Sequence, residues 1–249
     1  MDLDPELAAL RPLGGFFVLR AAAAGAGPAR RLPTLAEAYG PPGPDDGRRT
    51  ALTSRVELVA QRLRVTEPRV AASLAHQGLA ARLWSAALAC AAVYGSVPDL
   101  DPRRLRWDVP AAAPDDLWLT GVRPLPGDPD TLVDGVLRGH LQPLGEALRS
   151  RYGVAAGLLW GNAGSALAGA ARELDRWARV HGRTDVAERA RVLTDALFAH
   201  PLLAGTGTRG GTAFRRGSCC LYYRVAGGGV CGDCCFTRPP GSSPRAASG

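Results

Sequence analysis

Five of the six cysteines lie between Cys219 and Cys235, in the run Cys219-Cys220-x10-Cys231-x2-Cys234-Cys235. Any fold of this chain has to bring that short loop to a place where four thiols act together. Cys231-x2-Cys234 is a pincer, because two intervening residues let both sulfurs reach one metal ion. Cys219-Cys220 is less usual: neighbouring side chains diverge, so clamping both onto one small ion strains the peptide. A centre with two metal atoms tolerates them better, and two irons bridged by sulfide need four thiolates. Gly227, Gly228 and Gly229 let the connecting loop fold back, and Gly232 frees the backbone inside the pincer. Three chemistries compete. Structural zinc draws on two separated pairs of ligands, so the adjacent pair counts against it. A disulfide framework belongs to small secreted chains. An iron–sulfur cluster suits the spacing best, with zinc left open.

The redox compartment follows from the start of the chain and its lack of long apolar runs. The opening Met-Asp-Leu-Asp-Pro-Glu is acidic, unlike a secretory leader, and Ala21 to Ala24 is too short for one. No apolar run approaches the roughly 20 residues that span a bilayer. The expectation is a cytoplasmic protein with no transmembrane segment, peripheral membrane contact staying open. There, clustered cysteines hold metals or electrons more often than disulfides. The net charge of +7 rests on arginine alone, with no lysine among 249 residues, so it does not titrate in the physiological range. These arginines are scattered and aromatics are only 6%. No basic run interleaved with aromatics appears, which speaks against nucleic acid.

The body reads as mainly α with minor β. Leu52, Val56, Val59 and Leu63 repeat at helical spacing. A second helix runs from Pro68, near its first turn, to about Tyr94, where Gly95 ends it. Its apolar stripe would be Val70, Leu74, Leu79, Leu83 and Leu88, with Cys90 a buried thiol and His76 and Trp84 packing residues. Phe16 to Leu19 suggests a short strand. Trp107 and Leu117-Trp118-Leu119 suggest a strand pair with Val109 to Asp115 as the turn. Helices should follow from Asp130 or Thr131, with Pro143 kinking or splitting the run, then over 154–180 and from Thr184 to near Pro201. Gly40 to Gly47 is a loop. Gly205 to Gly211 contains G-x-G-x-x-G, but it follows a helix and opens none, so it reads as a flexible linker and not a dinucleotide site. The expected division is 1–130 as an N-terminal helical and β half, 131–211 as a helical part, 212–238 as the cysteine segment and 239–249 as a disordered tail.

Cys219, Cys220, Tyr222 or Tyr223, Cys231, Gly232 and Cys234 together resemble the cluster-binding segment of the ferric-siderophore reductase family of the FhuF type. Leu141-Gln142-Pro143-Leu144, Leu159-Trp160-Gly161-Asn162-Ala163 and Pro201-Leu202-Leu203 are similar to further segments of it. The resemblance spans roughly residues 130–236. It implies a [2Fe–2S] cluster on Cys219, Cys220, Cys231 and Cys234, and one-electron reduction of a ferric siderophore in the cytoplasm. The substrate would be of hydroxamate type, and Fe2+ would be released. Cys235 departs from the pattern, where the family often has proline, and is an alternative ligand to Cys234. Arg215, Arg216, Arg224 and Arg238 flank the ligands as candidates for tuning the cluster or docking a reduced ferredoxin or flavodoxin. The siderophore-facing part would lie in the N-terminal half. Asn162 is read as structural support. His140 and His200 are unneeded as Rieske-type ligands, and His200 suits a helix C-terminus. Two other readings remain: a non-catalytic iron–sulfur carrier or sensor, and a siderophore-binding or biosynthetic helper with a structural zinc loop.

Overall fold

Helices dominate, joined by short strands, in a computed structural model that describes residues 7–21, 31–41 and 50–240. The expected loop over 40–47 and the C-terminal tail fall largely outside these residues. In chain order, a 3-10 turn (Ala8–Leu13) leads to β1 (Arg20–Ala21) and α1 (Leu35–Tyr39), followed by α2 (Ala51–Leu63) and α3 (Pro68–Tyr94). Thr34 and Glu37 close a capping box on α1, each satisfying the other's backbone N–H, and Thr50 does the same with Thr53 on α2. Pro68 opens α3 and Gly95, at φ 75°, ends it, as its sequence predicts.

The α3 surface differs from the one-sided stripe expected of it. Every residue from Arg82 to Tyr94 is buried, because alanine-rich turns let neighbours approach from all sides. Its principal partner is α6 (Ala156–Val180), with α2 and α7 (Thr184–Ala199) beside it. One apolar core runs from Leu7 to Phe214.

The first strand after α3 packs against that helix. β2 (Ser96–Pro98) pairs with β5 (Pro124–Pro126). β3 (Leu105–Trp107) lies antiparallel to β4 (Leu117–Leu119), with Trp107 opposite Leu117, as anticipated, and β1 joins the far edge of β4 in parallel. The strand expected at Phe16 to Leu19 is absent. The carbonyls of Gly15, Phe16 and Val18 accept instead from the Arg82 guanidinium, whose Nε also donates to Asp116 at 2.9 Å. The segment wraps a buried ion pair, which leaves those carbonyls unavailable to a strand partner.

Past the β5 turn, Asp128 caps α4 (Pro129–Leu132), slightly earlier than Asp130 or Thr131 would suggest. α4 passes into a π-helical stretch (Val133–Leu141) and then into α5 (Gln142–Tyr152). Pro143 accounts for the wider turns. It has no N–H for the α-helical ladder, and its ring crowds the carbonyl four residues back. The Gln142 N–H already reaches back five residues to the Leu137 carbonyl. The proline therefore loosens the helix without splitting it.

α7 is followed by α8 (Pro201–Ala204), so Pro201 starts a helix as well as ending one. The glycine-rich stretch after it is not a flexible linker. It forms a hairpin, β6 (Gly207–Gly210) and β7 (Ala213–Arg216), in which Gly207 faces Arg216 and Gly211 takes the turn at φ 59°. Alternating burial along β7 explains the pairing: Phe214 and Arg216 point inward, Ala213 and Arg215 outward.

Candidate metal centre

The cysteine segment is pinned to the helical body by the hairpin before it. Phe214 packs on Phe198 of α7, with ring centroids 5.4 Å apart. On α6, a Cβ at Gly161 would overlap Ser218 Oγ, so glycine there is what lets the chain close on the helix. Ser218 Oγ donates to the Gly157 carbonyl at 3.0 Å.

The adjacent cysteines follow. Cys220 is buried, and its carbonyl accepts from Ser73 Oγ of α3 at 2.8 Å. Leu221 adopts the left-handed conformation at φ 69° and turns its N–H onto Cys219 Sγ at 3.2 Å. A non-glycine residue in that region is costly; here it reverses the chain directly after the pair. A 3-10 turn (Tyr222–Arg224) and the glycine run carry the loop back. The pincer closes with Cys234 N–H on the Cys231 carbonyl at 3.0 Å. Arg216 N–H donates to the Asp233 carbonyl at 2.9 Å, which holds the pincer to β7.

These bonds bring Cys220 Sγ to 3.5 Å from Cys231 Sγ. Two thiolates on one tetrahedral metal, with bonds of about 2.3 Å, sit about 3.8 Å apart. Cys220 and Cys231 therefore stand at the spacing of two ligands on one metal atom. Among the described residues, no three of Cys, His, Asp and Glu converge as a single-ion site does. Burial pushes the Cys219, Cys231 and Cys235 thiols up; Cys231 is raised further by Cys220 and Cys235 by Cys234. Thiols packed this closely give up their protons readily only when a cation takes the charge.

One cation is already in place. Arg216 is 2% exposed, yet its guanidinium finds no carboxylate among the described residues. Nε donates to the Ser218 carbonyl at 3.1 Å, Nη1 to Gln77 Oε1 at 2.9 Å, and Nη2 to Asn162 Oδ1. All three acceptors are neutral. A buried charge with only neutral partners is costly unless an anion lies nearby. Its field reaches Cys231 and Cys235, opposing the rise that burial causes. The pocket is thus preset for an anionic, thiolate-bound centre, which suits the donor set.

A family model described as ferric iron reductase FhuF-like transporter matches residues 76–206, just over half of the chain. A second, described as FhuF 2Fe-2S C-terminal domain, matches residues 216–236. The chain belongs to the FhuF-like ferric iron reductase family. Its C-terminal segment is accordingly a [2Fe–2S] domain, and a [2Fe–2S] cluster is its cofactor. No curated protein matches the chain. Among the described residues, no helix is long and apolar enough to cross a membrane.

The FhuF-like segments of the body gather around one cavity of about 210 Å³. Leu141 and Gln142, Leu159 and Trp160, and Leu202 all line it, with His76 of α3. Burial holds His76 down to about 3, and its Nδ1 has no hydrogen-bond partner among the described residues. Asn162 lies on the same helix turn as Trp160, fully buried. Its Nδ2 donates to the Ser73 carbonyl at 2.9 Å and to Ser73 Oγ at 3.1 Å. It thus joins α3, α6 and Arg216.

The four flanking arginines separate. Arg216 turns inward. Arg215 is exposed and donates to the Cys235 carbonyl at 3.0 Å. Arg224 pairs with Glu67 at 3.0 Å, and Arg238 is exposed. The histidines lie apart from the thiols. His140 is buried between Tyr39 Oη at 2.9 Å and the Leu100 carbonyl at 2.5 Å. His200 sits between α7 and α8, where Nδ1 accepts from the Leu202 N–H at 3.3 Å. His200 is thus the C-cap of α7, the helix end expected for it, and in addition the N-cap of α8.

Sequence reasoning missed Ser73, Gln77, Ser165, Arg172 and Asp233. Ser165 Oγ donates to Asp233 Oδ2 at 2.7 Å, and Arg172 Nη1 lies 3.4 Å from Oδ1. The available signal was Ser73 and Gln77, one turn apart on an alanine- and leucine-rich helix.

Proposed function

We propose that the protein reduces a ferric siderophore, of hydroxamate type, by one electron in the cytoplasm and releases Fe2+. In this reading Cys219, Cys220, Cys231 and Cys234 hold the [2Fe–2S] cluster. Cys220 and Cys231, with sulfurs 3.5 Å apart, would be placed to hold the same iron, and Cys219 and Cys234 would supply the remaining thiolates. When bound, the cluster supplies one electron at a time, as the ferric-to-ferrous step requires. Hydroxamate oxygens hold Fe3+ far more tightly than Fe2+, so a single electron loosens the chelate.

The observation that carries the reading is the buried Arg216 beside the thiol loop, within the segment matched as a [2Fe–2S] domain. A fixed cation next to the cluster offsets the added negative charge on reduction and raises the potential. Cys234 and Cys235 are equally half-buried, but Phe236 N–H points to Cys234 Sγ at 3.4 Å, which favours Cys234 as the fourth ligand. Arg215 and Arg238, with the exposed Phe236 and Val230, form the face we assign to an acidic electron donor of ferredoxin or flavodoxin type.

The test is metal analysis of anaerobically purified protein. Two irons and two sulfides per chain, silent by EPR when oxidised and showing a spin-half signal after dithionite, support the assignment. One zinc per chain, with no sulfide after reconstitution, sinks it and leaves a structural zinc loop.

A further inference from the structure

A cleft of about 460 Å³ opens beside the pincer. The N-terminal stretch Leu13 to Phe17 forms one wall, Gln77 and Ala81 of α3 a second, and Gly169 and Arg172 of α6 a third. Asp233, the residue inside Cys231-x2-Cys234, lines it as well. We propose that this cleft is where the ferric chelate sits during reduction; the inference rests on the reductase reading above.

Three observations meet here. The first is proximity. A chelate resting against Asp233 is one side chain away from the backbone that joins Cys231 to Cys234, so an electron has a short path. The larger cavity, about 620 Å³ between α6, α7 and the hairpin, is lined by Arg172 but not by Asp233, so no residue of the pincer faces it.

The second is the polar lining. Gln77 Nε2 lies 3.4 Å from Ser165 Oγ, which donates to Asp233, while Gln77 Oε1 accepts from Arg216. The cleft lining and the buried cation at the thiol loop therefore share one side chain. The third is the mouth. Phe16 is 50% exposed, in a segment whose carbonyls are fixed by Arg82. A solvent-facing aromatic ring held on a rigid wall is a ready contact for the apolar spacers of a chelate.

Charge narrows the class. Both carboxylates of the lining are paired, Asp233 with Arg172 and Glu173 with Arg176 at 2.9 Å, so Arg172 is not free for an anion. A neutral or singly positive tris-hydroxamate chelate is accepted there, and a trianionic tris-catecholate chelate finds no unpaired cation in the lining to hold it.

The probe is the gallium(III) complex of a linear tris-hydroxamate, which has the shape of the ferric chelate and takes no electron. Binding is followed by equilibrium dialysis on the cluster-loaded protein. Gly169→Trp fills the cleft from α6, where a Cβ meets only the far end of Arg172, and Gly169→Ala is the control. The expected result is at least tenfold weaker binding for G169W, less than twofold change for G169A, and threefold to tenfold loss for Phe16→Ala. Iron content and the EPR signal should stay unchanged in all three. If G169W loses its cluster, F16A and the wild-type preference for hydroxamate over catecholate chelates decide. Equal binding by wild type and the intact variants overturns the cleft. So does a wild type that reduces the ferric chelate but does not bind the gallium one. A reduced wild-type cluster that no ferric chelate reoxidises instead overturns the reductase reading, and the cleft with it.

Discussion

The Arg216 guanidinium donates through Nη2 to Asn162 Oδ1, and both side chains are buried. The contact joins the end of β7 to the second turn of α6. Asn162 in turn bonds Ser73, and Ser73 bonds the Cys220 carbonyl. A charge beside the thiol loop is thus held in place by an unbroken polar chain that returns to the loop. Removing that charge should lower the cluster's potential. For Arg216→Gln we expect a fall of about 60 mV or more, about tenfold in a one-electron equilibrium. Arg216→Lys, which keeps the charge without the fork, should lose less. An EPR-monitored redox titration reads both, and an unchanged potential in R216Q would mean that Arg216 is purely structural.

Asn162 satisfies partners on two sides. Asn162→Ala leaves the Ser73 carbonyl short of a donor and one arm of Arg216 without an acceptor. Stranding buried groups of this kind costs about 1–3 kcal/mol each. Denaturant unfolding of the loaded protein should show a loss of at least that size. A change below about 0.5 kcal/mol would show that the chain of bonds contributes little.

Gly161 sets how closely the cysteine loop approaches α6. Gly161→Ala should favour the helix by propensity alone, yet its Cβ overlaps Ser218 Oγ. The expected outcome is faster release of iron to a chelator, with helix content by circular dichroism unchanged. Iron release at the wild-type rate would show that the loop relaxes freely.

The thiols should separate on serine substitution. Cys235→Ser keeps two irons and two sulfides and a wild-type EPR signal. Cys234→Ser loses the cluster or changes its signal, as do Cys219→Ser, Cys220→Ser and Cys231→Ser. The reverse outcome at 234 and 235 would move the fourth ligand to Cys235.

Acid should destabilise the fold through His140. Burial holds its folded value down to about 4 against an ordinary 6.5, and the Leu100 carbonyl and Asp101, which favour the protonated ring, offset this only in part. The unfolded chain takes up a proton near 6.5 that the folded chain refuses. Stability is therefore full above that pH and falls as pH drops toward 4. The slope is about 1.4 kcal/mol per pH unit from this group. His76, held down to about 3, adds in the same direction. His140→Gln should flatten the profile between pH 6.5 and 4, and an identical profile would remove His140 as a cause.

Much of this was legible in the sequence where one residue type decides the local outcome. Pro68 opened α3 and Gly95 ended it, and the β3–β4 pair followed from Trp107 and Leu117-Trp118-Leu119. The cysteine spacing pointed to two metals before any fold was known. Long-range contacts stayed hidden. Phe16 to Leu19 reads as a strand until Arg82, more than 60 residues away, takes its carbonyls. Gly205 to Gly211 reads as a linker because its pairing depends on Phe214 finding Phe198. Arg216 looked like its neighbours Arg215 and Arg224. Only the alternation along β7 turns it inward to Gln77 and Asn162.

The most direct test of the account is a single turnover. Protein with its cluster reduced by one electron is mixed anaerobically, free of excess reductant, with a ferric tris-hydroxamate chelate and a ferrous trap. Cluster reoxidation and trapped Fe2+ are followed together. The expected result is reoxidation of the cluster with one Fe2+ trapped per cluster. A cluster that stays reduced, with no Fe2+ above the protein-free control, would contradict it.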